Sequence, residues 1–255
     1  MRGCRRGSAH VNDLKRLLKD ECPWLVPVRR RWIVLRRYIE YYALILMYRV
    51  RYPRDSVFRT IYQKHTWGKE SRSGEGSESE QTAEIKRAIP ALLAELNVRS
   101  VLDAACGDFS WMSDLRLGID SYVGVDIVPE MISENQKRYG SESVRFLHID
   151  ITKDDLPRAD LIICRDCLVH LSFKNIFRCL RTFKKSGSAY LLTTTYPGKL
   201  TRHWDIVTGM WRPLDLELAP FNFPKPLKLI NERTTEVTDY GQKSLGLWRI
   251  GDLPV

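Results

Sequence analysis

The stretch V-L-D-A-A-C-G-D-F at residues 101–109 ends a short apolar strand in a turn with one glycine, Gly107, flanked by Asp103 and Asp108. Upstream, Ile85, Ile89, Leu92, Leu93 and Leu96 recur at helical spacing, and Ser77 with Glu80 matches an S-x-x-E capping box; Pro90 should kink or interrupt that helix. Downstream, short apolar runs alternate with helical stretches. Y-V-G-V-D-I (122–127), V-R-F-L-H-I-D (144–150), A-D-L-I-I-C (159–164) and S-A-Y-L-L-T-T-T (188–195) read as strands. Between them, residues 129–140 open on a proline and stop at a glycine, and residues 173–185 are amphipathic. Residues 227–231 and 245–250 read as a closing antiparallel pair. The expectation is an α/β fold, a Rossmann-like, mostly parallel, seven-stranded sheet with helices on both faces.

The 255 residues suffice for one such domain with an appendage, and 44% hydrophobic content excludes a disordered or fibrous chain. The net charge of +10 is concentrated at one end: residues 1–70 carry 17 Lys and Arg against 6 Asp and Glu, whereas the remainder is almost balanced. Residues 1–60 are therefore assigned to a basic N-terminal arm with a helical extension, and residues 61–255 to the main domain. Within 29–51, stepping about 100° per residue puts Arg29, Arg30, Arg36 and Arg37 opposite Leu35, Ile39, Tyr42 and Leu46. Such a helix either packs on the main domain or lies on an anionic membrane surface. Asp13, Asp20 and Glu21 argue against a targeting peptide. Six cysteines in a chain this long do not make a disulfide scaffold. Cys164 and Cys167 form a C-x-x-C without a second metal-ligand pair, so reduced structural cysteines in a cytoplasmic compartment are expected, with no metal.

A dinucleotide loop uses several glycines to bring backbone amides to a pyrophosphate. Here the acids would repel it by ~1 to 4 kcal/mol each at about 4 Å, and would attract a cation instead. S-adenosylmethionine carries both a sulfonium and an ammonium. Asp126, nineteen positions beyond Gly107 at the end of the second strand, is placed to accept two ribose hydroxyls. Asp150, ending the third strand, is placed to accept from an adenine amino group.

These residues, together with F-L-H-I-D-I (146–151) and A-D-L-I-I-C-R-D (159–166), resemble the successive motifs of the class I S-adenosylmethionine-dependent methyltransferases over roughly residues 80–255. W-G-K-E-S-R-S-G-E-G-S (67–77) and G-M-W-R-P-L-D-L-E-L-A-P-F (209–221) resemble one branch of that family. Ala105 and Phe109 stand where two glycines are usual, which tightens the loop. The resemblance implies that Asp103 orders the loop and faces the methionine amino group, and that Ala105, Cys106 and Gly107 line the cofactor. It implies that Asp126 holds the ribose, that Ile127 covers the adenine, and that Asp150 and Ile151 flank it. Cys164 or Arg165 would offer a backbone carbonyl to the ammonium. Tyr62, Trp67, Glu70, Ser71 and Ser73 to Ser77 resemble a lid over 61–79 that excludes water, with Trp67 against the cofactor.

The loop C-R-D-C-L-V-H-L-S (164–172) lies beside the methyl group in this fold and offers Asp166 and His170 as general base. Each also has a plain structural reading, as helix cap or buried hydrogen-bonded residue. Trp111 is placed to wall the site. Trp204, Asp205, Trp211, Arg212 and Phe221 fall where the family places acceptor-binding insertions, and aromatic faces suit a sugar or small hydroxylated molecule. The leading expectation is O-methylation of a small molecule or glycan unit. The alternatives are an RNA or protein methyltransferase that uses the basic arm to hold its substrate, and a cofactor-binding module without catalysis. The near-neutral main domain itself has no basic footprint for nucleic acid.

Overall fold

The computed structural model describes residues 54–64, 71, 73–198, 200–234 and 242–255. The arm helix proposed for 29–51, Trp67 and Glu70 lie outside them. The seven strands are β1 (Ser100–Ala104), β2 (Ser121–Asp126), β3 (Val144–His148), β4 (Leu161–Cys164), β5 (Tyr190–Thr195), β6 (Lys228–Asn231) and β7 (Ser244–Arg249). They form one sheet in the order β3-β2-β1-β4-β5-β7-β6. β1 to β5 are parallel, and β7 runs antiparallel to both β5 and β6. Successive connections proceed one way from β1 to β3 and the other way from β4. The crevice at the carboxyl ends of β1 and β4 is thus the place where a ligand enters such a sheet.

The alternating side chains of the strands supply two cores. Leu102, Ala104, Val125, Ile162 and Cys164 face one side, under Ile176, Cys179, Leu180 and Phe183 of α4 (Phe173–Lys185). Val101, Tyr122, Leu161 and Ile163 face the other, under Ile85, Ile89, Leu92 and Leu93 of α2 (Ser79–Glu95) and Ile132 of α3 (Pro129–Tyr139). With both faces covered, β4 is buried along its whole length, which is why these strands are continuous apolar runs rather than alternating ones. α3 has its proline in the first turn and Gly140 at its C-cap, and α4 is capped by the Ser172 side chain accepting from the Asn175 amide. Among the described residues, no helix is long and apolar enough to cross a membrane. Cys106, Cys164, Cys167 and Cys179 are free thiols.

Two local expectations are corrected. The capping box does not form: α2 starts at Ser79 behind Glu78, whose side chain makes no cap bond. Ser77 belongs instead to a one-turn 3-10 helix, Glu75–Ser77, held by Arg165 donating to the Gly76 carbonyl at 2.7 Å. Pro90 does not interrupt α2, whose buried face of Ile85, Ile89, Leu92 and Leu93 spans it and offsets one lost backbone bond. The boundary at residue 60 falls inside α1 (Arg54–Lys64), an element of the compact unit Pro53–Val255. Arg54 at its first turn pairs with Asp150 at 3.0 Å, an interaction invisible to a division drawn on net charge.

Phe109 takes a left-handed backbone with φ of 59°. Its ring meets those of Tyr122, Tyr139 and Phe146 with centroids 5.0 to 5.1 Å away. Aromatic packing of this kind, ~0.5 to 1.5 kcal/mol per pair beyond area burial, offsets a backbone cost of ~1 kcal/mol. Phe109→Ala should lower the unfolding free energy by about 3 kcal/mol in urea at an unchanged m-value. Phe109→Gly should be about 1 kcal/mol less damaging than Phe109→Ala, reversing the usual order; an alanine variant more stable than the glycine one would contradict this account.

Candidate functional site

The turn after β1 is wired to its surroundings. Cys106 donates its amide to the Val125 carbonyl at 2.9 Å, and the Gly107 amide donates to Asp126 Oδ2 at 3.2 Å. Asn135 of α3 donates to the Gly107 carbonyl at 2.8 Å. Gly107 has a φ of +59°, and a Cβ there would come 2.2 Å from Ser73 Oγ. The residue must be glycine because Ser73 lies directly on it. Ser73 Oγ accepts from the Asp108 amide at 2.7 Å, and Ser71 donates to the Asp108 carboxylate at 2.8 Å. Ser73 and Ser77 both line the cavity beneath.

That cavity encloses about 1040 Å³ of empty space, part of it open to solvent, at the carboxyl ends of β1 to β4. Asp103, Ala105, Cys106, Gly107, Asp126, Ile127, Asp150, Ile151, Arg165, Asp166 and His170 all line it. Trp67 lies outside the described residues. Trp111 lines the cavity too, with the Arg165 guanidinium 5.3 Å from its ring centroid. Of the two carbonyls considered after β4, that of Cys164 already accepts from the Thr193 hydroxyl at 2.7 Å.

The three strand-tip carboxylates differ in their surroundings. Asp103 accepts from the Tyr122 hydroxyl at 2.6 Å, yet burial pushes its carboxyl up to about 7. Asp126 accepts from the amides of Gly107 and Val128, the latter at 3.1 Å at the start of α3, and burial still pushes it up to about 6. Asp150 is already engaged: Oδ1 accepts from the Thr152 amide and hydroxyl, and Oδ2 pairs with Arg54. Buried acids whose charged forms lack full compensation, gathered in one cleft, make a site that favours a cation. A sulfonium and an ammonium supply that charge, and ribose hydroxyls suit the Asp126 oxygens. The residues present therefore fit S-adenosylmethionine.

Beyond β4, sequence reading missed two groups. Glu232 follows β6 and Lys243 precedes β7, and both are buried beside Arg165 and Asp166. Arg165 donates to Glu232 at 2.6 and 3.1 Å, and Lys243 donates to Asp166 Oδ2 at 2.6 Å. Their positions, far from the strand motifs, give no local signal; only the antiparallel return of β6 and β7 brings them in. Burial opposes ionisation of Asp166, but Lys243 and Arg165 outweigh it and hold its carboxyl well below the usual carboxylate range. His170 ends a one-turn 3-10 helix, Leu168–His170, and its Nδ1 lies 2.9 Å from the Met210 carbonyl. A carbonyl only accepts, so Nδ1 carries the proton and Nε2 the lone pair. Burial pushes His170 below its ordinary value, leaving a neutral imidazole near neutral pH.

None of Trp204, Asp205, Trp211, Arg212 and Phe221 lines the cavity. Asp205 accepts from the Phe173 amide at the start of α4, Phe221 is core, and Arg212 lies buried with its guanidinium 4.9 Å from the Phe173 ring centroid. The main chain of this segment runs along the 3-10 turn that carries His170, the Gly209 amide donating to the His170 carbonyl and the Arg212 amide to that of Val169. Trp204 and Trp211 stand 44% and 42% exposed.

Comparison with known proteins gives the same family. A model described as a methyltransferase domain matches residues 101–187. Uncharacterized methyltransferases of Mycobacterium bovis and Mycobacterium tuberculosis are 31% identical over 152 residues, covering 54% of this chain and 75% of theirs. Among solved structures, the N-methyltransferase NodS of Bradyrhizobium japonicum in complex with S-adenosyl-L-homocysteine aligns with a TM-score of 0.54 at 13% identity, over 78% of this chain and 99% of that one. The magnesium protoporphyrin IX methyltransferase of Synechocystis with the same ligand aligns with a TM-score of 0.50 at 13% identity, over 77% and 99%. The chain belongs to the class I S-adenosylmethionine-dependent methyltransferases.

Proposed function

We propose that this methyltransferase O-methylates a small hydroxylated acceptor, a free sugar derivative or a glycan unit, with His170 as general base. The observation that carries the reading is the neutral imidazole on the cavity wall, its tautomer set by the Met210 carbonyl so that Nε2 can take a proton. Asp166, the other candidate, is a weak base in its pairing with Lys243 and Arg165, and its role becomes that of a fixed charge holding the acceptor side in shape.

The cofactor supplies an electrophilic methyl group on a sulfonium. Asp103, Asp126 and the Gly107 turn bind and orient it, and segment 71–77 with Trp111 keeps water from the reacting centre. His170 would take the hydroxyl proton as the acceptor oxygen displaces sulfur; the C–S electron pair would stay on sulfur, and the sulfonium's positive charge would pass to the His170 imidazolium, which gives its proton up to solvent to restore the base. Much of the rate then comes from holding the two partners in line.

Incubation of the full-length protein with methyl-labelled cofactor and a panel of hydroxylated acceptors, amino sugars, RNA and protein tests the reading. Label in an ether-linked methyl of a small acceptor is expected. Label confined to amines, RNA or protein would overturn it. His170→Ala should lower kcat by about 10² to 10⁴ with unchanged cofactor affinity, the span usual for a general base; retained kcat would remove His170 from the reaction.

Cofactor binding has its own pH dependence. Since Asp103 favours a cation only when ionised, S-adenosylhomocysteine affinity should be full at pH 8 and fall as pH drops through about 7. A second proton on Asp126 should steepen the loss near about 6. Calorimetry across pH 5.5 to 8 checks this, and a flat profile would contradict the carboxylate account.

A further inference from the structure

α1 is one wall of the cavity, although it lies upstream of the strand-tip motifs. Arg54, Phe58, Ile61 and Tyr62 line the cavity on the side of Ile127 and Asp150. The helix is pinned by polar contacts unusual for eleven residues. The Arg54 guanidinium pairs with Asp150 Oδ2 at 3.0 Å, donates to Thr152 Oγ1, and reaches Asn175 Oδ1 of α4 at 3.4 Å. Arg59 pairs with Glu130, and the Tyr62 hydroxyl donates to Glu134 at 2.9 Å, both on α3. Tyr62 is buried against Val128 and Met131. A Cβ on Gly209 would come 2.5 Å from Val57 Cγ1, so α1 also sits against the loop that carries the Met210 carbonyl.

The acid expected to read the nucleobase is the one Arg54 holds. Thr152 occupies Asp150 Oδ1 with two bonds and Arg54 one site of Oδ2, while the exposed Lys153 ammonium pairs with Oδ2 at 3.9 Å, beyond hydrogen-bond reach. A carboxylate oxygen accepts two hydrogen bonds, so Oδ2 keeps one acceptor site, and the flat guanidinium sets its direction. We propose that α1 completes the adenosine subsite: Arg54 is a positioning residue that fixes Asp150 toward the purine 6-amino group, while Phe58 and Tyr62 cover the base. The proposal rests on the cofactor reading above. It gives a segment outside the methyltransferase motifs a share in selecting the nucleobase.

Calorimetry on full-length protein with S-adenosylhomocysteine and its inosyl counterpart, which has a 6-oxo group in place of the amine, separates recognition from mere packing. The unaltered protein should prefer the adenosyl form by at least about tenfold, the worth of one hydrogen bond to a charged group. Arg54→Ala should weaken adenosyl binding by about tenfold and leave inosyl binding within about twofold, so the preference collapses. Arg54→Lys should fall between, and it carries the same test if the alanine variant does not fold. Phe58→Ala should weaken both ligands alike, because a covering ring does not read the amino group. The proposal is overturned if the unaltered protein has no preference, or if Arg54 variants keep it, whether affinity is intact or both ligands are lost together. Binding of neither ligand by the unaltered protein would instead overturn the cofactor reading, and this proposal with it.

Discussion

The bond from the Gly107 amide to Asp126 Oδ2 joins the turn after β1 to the tip of β2, and the rest of the site is arranged around it. Because the same carboxylate caps α3 through the Val128 amide, one side chain sets the turn, the strand end and the helix start. Burial of that acid is unfavourable in isolation, as its raised titration shows. The cleft therefore holds stored electrostatic demand, shared with Asp103, that an incoming cation meets.

Beyond the tip of β4 the charges are closed on themselves. Arg165, Asp166, Glu232 and Lys243 form a buried group with two charges of each sign, and Arg165 extends it to the Gly76 carbonyl. Such a group contributes little net stability compared with apolar packing of equal volume, but breaking one member leaves the others buried and unpaired. Its value here is geometric: it ties the turn at Gly76, the β4 tip and the β6–β7 hairpin into one frame beside the cavity. His170 lies in the same region, neutral and with Nδ1 held by the Met210 carbonyl.

The parallel sheet was legible because β1, β2, β4 and β5 are buried on both faces and read as apolar runs, while Pro129 and Gly140 punctuate α3 at both ends. The carboxylates were legible because Asp103, Asp126 and Asp150 each lie within two residues of the end of an apolar run that forms a strand. What escaped was set by contacts between distant segments. Glu232 and Lys243 reach Arg165 and Asp166 only through the antiparallel return, and Arg54 reaches Asp150 across 96 positions of chain. Asp150 was read as an open acceptor because nothing near it in sequence announces its arginine. The aromatic residues of 204–221 looked like ligand groups, yet Phe221 and the Arg212–Phe173 stack are interior; composition does not tell a core aromatic from a binding one. Ser77 looked like a cap until Arg165 drew its turn into another shape.

The central claim is that the strand-tip acids form a cradle for a positively charged sulfur nucleoside. Competitive equilibrium binding of S-adenosylmethionine and NAD to the full-length protein and to Asp126→Ala tests it most directly. The account predicts S-adenosylmethionine binding on the order of micromolar, no competition by NAD, and about a hundredfold loss in the variant, as expected for two hydroxyl bonds to a charged acceptor. Equal binding by Asp126→Ala, or displacement by NAD, would contradict it.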